Sequence, residues 1–198
     1  TKGWYTAEAE YITLDVGVTT WADKTTNNND LIQTTDANEP AFAGDSVTFD
    51  GSNDKLLDSD FALSQPITIY ILMKQVTWTQ WDDLFEFYND DAGTYLKFSQ
   101  SNTITPRVRI YCSGGNIEET GMAVDTWYVV RLVFNGASSK IQIDNGSATT
   151  GDIGAVNISK LDMGRGEGNI SIKEMIVRSG DDSDANELAI YDYLNAKK

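Results

Sequence analysis

A chain of 198 residues can bury roughly 70% of the surface its unfolded form exposes, enough for one large core without disulfide or metal staples. Its 15 basic and 30 acidic residues leave a net charge of -15, which repels phosphate backbones and anionic lipid and argues against nucleic-acid partners and membrane insertion. Histidine is absent, which excludes Ser-His-Asp and Cys-His catalysis and imidazole metal sites, so any chemistry must rest on carboxylates, Tyr, Lys or Arg.

The chain opens at Thr1 without a methionine, as a processed form or a piece of a longer protein would, and no run approaches 18 apolar residues. Trp4 and Trp21 read as packing residues, and residues 25 to 46 are polar, Asn-rich and loop-like. From there the pattern is alternation at period two, punctuated by Gly, Asn and Asp clusters, and it predicts an all-β sandwich occupying residues 1–198 as a single domain. Ile67, Ile69, Ile71 and Met73 form one face of a first long strand; Phe85 and Phe87, then Leu96 and Phe98, continue the pattern. Val108, Ile110 and Cys112 follow, then Val130, Leu132 and Phe134, Ile141 and Ile143, and finally Ile170, Ile172 and Ile176. The lone Cys112 reads as a small core hydrophobe. Turns fall at "NDDAG", at Asn135-Gly136 and at Asn145-Gly146. The one helix predicted is C-terminal: Ser183 or Asp184 caps it, Glu187 sits in its first turn, and Leu188, Tyr191 and Leu194 share a face.

If the Phe, Leu and Val positions point inward, the pleat sends Lys74, Glu86, Tyr88, Tyr95, Lys97, Arg107, Arg109, Tyr111, Trp127 and Arg131 to the opposite side. Five of the 15 cationic residues would then share one face of an acidic protein. Such a face is either a solvated sheet surface laced by cross-strand pairs or a shallow binding surface, with rings stacking on sugars and Arg or Lys bonding hydroxyls and carboxylates. Trp78 and Trp81 lie in the connection before "DLFEFY", either as core anchors or as the lip of that face. Asp82 and Glu86 are expected on the same side, about 13 Å apart, too far for a glycosidase pair. Glu174, in step with Ile172 and Ile176, reads as an inward, structural residue satisfied by backbone donors. Asn89, Asp90 and Asp91 are weak calcium candidates that turn formation equally explains; no cofactor is expected.

Three stretches in order carry a family resemblance. "VTTWADKTTNNNDLIQTTDANEPAF", "VTFDGSNDKL" leading into "PITIYILMK", and "ISIKEMIVRSGDDSDANELAIYDYLNAKK" are together similar to the concanavalin A-like lectin/glucanase superfamily, in particular laminin-G-like jelly-roll domains of bacterial and phage type. The chain departs from that pattern in lacking a glycine in "DKTTNNN" and in carrying a glutamate in "LFEF". The resemblance implies two antiparallel sheets of jelly-roll topology, one face concave and one convex. It leaves activity open, because the fold hosts lectins, glycosidases, lyases and interaction domains. The Glu-x-Asp-x-x-Glu strand motif of the family's glucanases is absent.

The reading is therefore a non-catalytic, carbohydrate-binding module of a larger secreted or virion surface protein, using Trp78, Trp81, Lys74, Glu86, Tyr95, Arg109, Tyr111 and Arg131. The alternative is a structural or protein-interaction domain of a phage particle or cell surface, with a homo-oligomer as its natural form. A glycosidase or lyase built on Glu86 with a partner from another strand is a third, less favoured reading.

Overall fold

The computed structural model describes residues 1–89, 93–101, 106–112, 114–164 and 168–198, and in it the period-two segments form two antiparallel sheets packed face to face, with one C-terminal helix. The eight-stranded sheet runs Thr149–Gly151, Ser139–Ile143, Tyr128–Phe134, Ile67–Gln75, Asn169–Ser179, Val47–Asp50, Ala41–Phe42, and Gly3–Thr6 also pairs with Asn169–Ser179. The nine-stranded sheet runs Gly115–Thr120, Arg107–Cys112, Thr94–Gln100, Asp83–Asn89, Lys160–Met163, Leu56–Asp58, Leu31–Ile32, Val18–Trp21, Ile12–Leu14. Leu63–Ser64 and Asn157–Ile158 make a separate two-stranded ribbon. Ile67–Gln75 and Asp83–Asn89, neighbours in sequence, thus belong to different sheets.

Between the sheets lie Ile67, Ile69, Ile71, Met73, Val130, Leu132 and Phe134 from one layer and Phe85, Phe87, Leu96, Phe98, Val108, Ile110 and Cys112 from the other, all fully buried. Removing each such apolar side chain from water contributes roughly 1.5–3 kcal/mol, which is why alternation alone specifies these strands. Phe85 packs edge-on against Phe87 and at a tilt against Phe98.

The eight-stranded sheet carries a second apolar patch on its outer face. Tyr70, Leu72, Val129 and Ile176 point away from the main core and are covered by the helix Asp184–Asn195 through Leu194, Ile190 and Tyr191. Ser183 occupies the N-cap position, but its side chain makes no capping hydrogen bond. Leu188 does not join this contact and stays 50% exposed. The second half of the helix makes the apolar contact, whereas the first turn is held by an ion pair from Glu187 to Arg131.

Three strand pairings carry register shifts among the described residues, one at Thr13/Leu14 on the sheet edge and two that change the side taken by charged residues. The first of these two falls between Asp83 and Phe85, where Leu84 is the extra residue, so Asp83 and Glu86 point to the same side. The other falls between Ile172 and Glu174, so Ile172 faces the main core while Glu174 and Ile176 face the helix. Glu174 is therefore not an inward residue satisfied by backbone. It is fully buried under the helix and accepts hydrogen bonds from Trp4 Nε1 (2.5 Å), Tyr193 Oη (2.8 Å) and Lys197 Nζ (2.5 Å).

The residues that carried the family resemblance organise loops. Trp21 is fully buried and its indole N–H donates to the Thr6 carbonyl at 2.8 Å. The Asp23 carboxylate accepts from the backbone N–H groups of Trp4, Thr25 and Asn29. Gln33 ties Lys55 to the Thr34–Thr35 backbone, and Asp50 caps the turn at Ser52.

Candidate functional site

The helix leaves the outer face of the nine-stranded sheet uncovered, and that face collects the polar strand residues. Glu86 stands opposite Lys97 on one side and opposite Asp162 on the other. Lys97 Nζ reaches Asp83 at 2.5 Å and Glu86 at 3.0 Å. Burial would lower the Lys97 pKa, but the hydrogen bonds and charges of Asp83 and Glu86 outweigh it and hold the ammonium above the ordinary lysine range. The bulge at Leu84 makes Asp83, not Asp82, the carboxylate beside Glu86.

Next to this charged floor runs a row of rings around one guanidinium. The Arg109 guanidinium lies 4.5 Å from the Trp81 ring and 5.5 Å from that of Tyr111. Tyr111 stacks on Tyr95 with centroids 5.6 Å apart and planes 25° from parallel, and Lys97 lies 4.9 Å from the Tyr95 ring. The hydrogen bond to Tyr111, with burial, raises the Tyr95 phenol. Ser99 Oγ accepts from Arg109 Nε at 2.9 Å and so fixes the plane of the fork.

The loop that carries Trp81 is held from below. Gln100, fully buried, donates through Nε2 to Gln75 Oε1 (2.5 Å) and the Thr77 carbonyl (2.9 Å), and its Oε1 accepts from Thr79 N–H (2.7 Å). The two tryptophans of this loop divide the roles offered by the sequence. Trp78 is half-buried with its indole nitrogen enclosed, so it anchors. Trp81 is 49% exposed and adopts a left-handed backbone with φ of 72°, which costs a residue with a Cβ roughly 1–2 kcal/mol.

A depression of about 480 Å³ opens beside the row, lined by Glu86, Asp162, Tyr88, Tyr95, Thr94 and Lys55. Lys55 is shared with a larger depression of about 860 Å³ over Ile32, Leu57 and the loops bearing Asn28 and Asp60. Asp162 is the site residue that reading the sequence missed. Its signal was present, since Leu161 and Met163 are buried and Lys160 and Asp162 alternate with them, but a four-residue strand after a long polar stretch is easily taken for loop.

Glu86, Tyr95, Arg109, Tyr111 and Trp81 are brought together; Lys74 and Arg131 are not. Both belong to the eight-stranded sheet and so lie on the opposite side of the sandwich. Arg131 is 8% exposed, beneath the helix and paired with Glu187. Lys74 pairs with Asp125 at 3.6 Å and lies over the Trp127 ring at 5.6 Å. Alternation reports which residues face outward, but not which of two outer faces a strand contributes to. Asn89 is half-buried and its side-chain nitrogen donates to the Asn157 carbonyl at 3.4 Å, whereas Asp90 and Asp91 lie outside the described residues. Among the described residues no group of three or more Asp, Glu, Cys or His side chains is arranged to hold a metal ion.

No protein-family model matches the chain, and no curated protein sequence matches it either. Solved structures do. A sialidase of Trypanosoma rangeli in complex with sialic acid superposes with a TM-score of 0.71 at 11% identity, over 98% of this chain and 33% of the sialidase. An arabinofuranosidase complexed with arabinofuranosyl-alpha-1,2-xylobiose superposes with a TM-score of 0.65 at 13% identity, over 91% of this chain and 51% of the enzyme. The chain thus spans about a third and about half of the lengths of these two proteins. At such identities the likeness is one of fold: the chain has the β-sandwich architecture found in regions of carbohydrate-active enzymes.

Proposed function

We propose that this chain is a non-catalytic, lectin-like carbohydrate-binding module of laminin-G-like type, part of a larger secreted or virion surface protein. The observation that carries the reading is the row Trp81, Arg109, Tyr111 and Tyr95 on the one sheet face that the helix leaves open, beside a depression floored by Glu86 and Asp162. Sugar rings present apolar C–H faces that stack on exposed indole and phenol rings, and their hydroxyls donate to carboxylates and accept from Lys and Arg. Structural neighbours solved with sugars support the same class of ligand. The face is shallow, so affinities in the range of about 10 μM to 1 mM are expected for short glycans. Glu86 is engaged by Lys97 at 3.0 Å, which occupies the carboxylate that a glycosidase needs free to protonate a leaving group.

Affinity electrophoresis in gels cast with a polysaccharide panel tests this reading. Retention of the wild-type chain by at least one polysaccharide, weakened fivefold or more by Trp81→Ala and by Tyr111→Ala, is the expected result. Absence of retention in every gel, together with a concentration-dependent oligomer in sedimentation, would overturn it in favour of a protein interface. Release of new reducing ends, lost in Glu86→Gln, would overturn the non-catalytic part.

A further inference from the structure

Resting on the glycan-binding reading, we infer that the face selects a saccharide bearing a single carboxylate, which Arg109 binds, with neutral sugar rings continuing over Glu86 and Asp162. The cations around Arg109 are already matched by carboxylates: Lys97 by Asp83 and Glu86, and Arg107 by Glu118 at 3.1 Å. Arg109 is treated differently. Its Nε donates to a neutral hydroxyl, Ser99 Oγ, its central carbon lies over the Trp81 ring at 4.5 Å and the Tyr111 ring at 5.5 Å, and among the described residues its two terminal nitrogens have neither a hydrogen bond nor an ion pair. Glu118 stands directly across from it, yet is taken by Ser101 Oγ at 2.7 Å and by Arg107. Burial alone would raise the Glu118 pKa, but those two hydrogen bonds and the charges of Arg107 and Arg109 hold it below the usual carboxylate range.

A guanidinium held at Nε by Ser99 and placed beside two rings offers a preorganised fork to a carboxylate, which it can take bidentately. Stacking also reduces the water that must be stripped from it, because guanidinium is weakly hydrated. The rest of the face limits how much negative charge the ligand can carry. Glu86 lies two strands and two residues of register from Arg109, about 12 Å away, and faces Asp162 across the strand pair. These groups accept hydrogen bonds from hydroxyls but repel a second carboxylate. The net charge of -15 does not override this local pattern, since fields between exposed charges decay over about 8 Å at physiological salt. The ligand that fits is a mostly neutral oligosaccharide with one uronate or comparable acidic sugar.

The test is a glycan array of matched pairs, glucuronate-ended beside glucose-ended and sialylated beside desialylated, with polygalacturonate as the all-acidic control. Wild-type protein, Arg109→Gln and Arg109→Lys are applied, and circular dichroism checks the fold of each variant. The acidic member of at least one pair is expected to be retained tenfold or more over its neutral counterpart; Arg109→Gln abolishes that preference and Arg109→Lys keeps a minor part. Polygalacturonate is expected not to bind. Equal retention within every pair, a preference unchanged in folded Arg109→Gln, or retention of polygalacturonate overturns this inference and leaves the glycan-binding reading standing. Silence of every glycan with the wild-type protein overturns both.

Discussion

Arg109 and Arg131 sit on opposite outer faces of the sandwich, the first beside the exposed Trp81 and the half-buried Tyr111 and the second sealed beneath the C-terminal helix against Glu187. Changing them therefore separates recognition from stability. Arg131→Ala leaves a largely buried Glu187 carboxylate without its cation and is expected to cost about 3 kcal/mol in urea unfolding, with glycan retention of the folded fraction unchanged. Lys74→Ala is expected to change retention by less than twofold, because Lys74 is committed to Asp125 and Trp127 on the helix side. A large loss of retention in folded Lys74→Ala would place recognition on the wrong sheet.

Trp81 holds a left-handed backbone that glycine adopts freely. Trp81→Gly and Trp81→Ala both remove the ring over Arg109, and both are expected to weaken glycan binding to the same extent. Their stabilities should differ in the unusual direction, with the glycine variant the more stable by about 1 kcal/mol, because alanine keeps the Cβ strain. Thermal unfolding of the two side by side measures it; an alanine variant equal to or above the glycine one would mean that the loop relaxes without strain.

Glu174 is the buried anchor of the helix, with Lys197 supplying its cation at 2.5 Å and Tyr193 and Trp4 its neutral donors. Lys197→Met strands that carboxylate and is expected to cost about 3 kcal/mol. The double variant Lys197→Met with Glu174→Leu should recover part of the loss, since an apolar pair replaces the ion pair at little net cost while the Trp4 indole N–H and the Tyr193 hydroxyl lose their acceptor. Equilibrium urea unfolding of the single and double variants closes the cycle, and a double variant as unstable as the single one would show that the charge is not what matters.

Stability is expected to fall steeply above about pH 10. Burial pushes the Tyr5 phenol far above its ordinary range, helped by the charges of Asp23, Asp58 and Asp30, and burial likewise raises Tyr70, with Asp182 adding to it. For Lys197 burial acts downward, but the bonds to Glu174 and Tyr193 win and raise it. In all three the fold keeps a proton that the unfolded chain has already released, so the native state binds more protons and loses stability as pH rises from about 10 toward the folded-state values. Each such group contributes a slope of about 1.4 kcal/mol per pH unit. Urea midpoints at pH 8, 10 and 11 check the trend, and Tyr5→Phe should flatten it by roughly one group's share. A midpoint independent of pH up to 11 would contradict the burial of these phenols.

The alternation of Ile67 to Met73, Phe85 with Phe87, and Val130 to Phe134 was sufficient to name an all-β sandwich and its inward residues, because one buried face per strand leaves a period-two imprint on composition. The C-terminal helix was legible too, its start from Ser183 at the N-cap position and its buried side from Leu194. Three things lay beyond that imprint. The assignment of Ile67–Gln75 and Asp83–Asn89 to different sheets split Lys74 and Arg131 from Glu86 and Arg109, and hydrogen-bonded pairing between distant segments makes that choice, not periodicity within either. The bulges at Leu84 and Lys173 reversed the side taken by the residues before and after them, a shift of one residue that composition does not mark. The meeting of Glu86 with Asp162, 76 positions later, and of Trp81 with Arg109 exists only once strands far apart in the chain lie side by side.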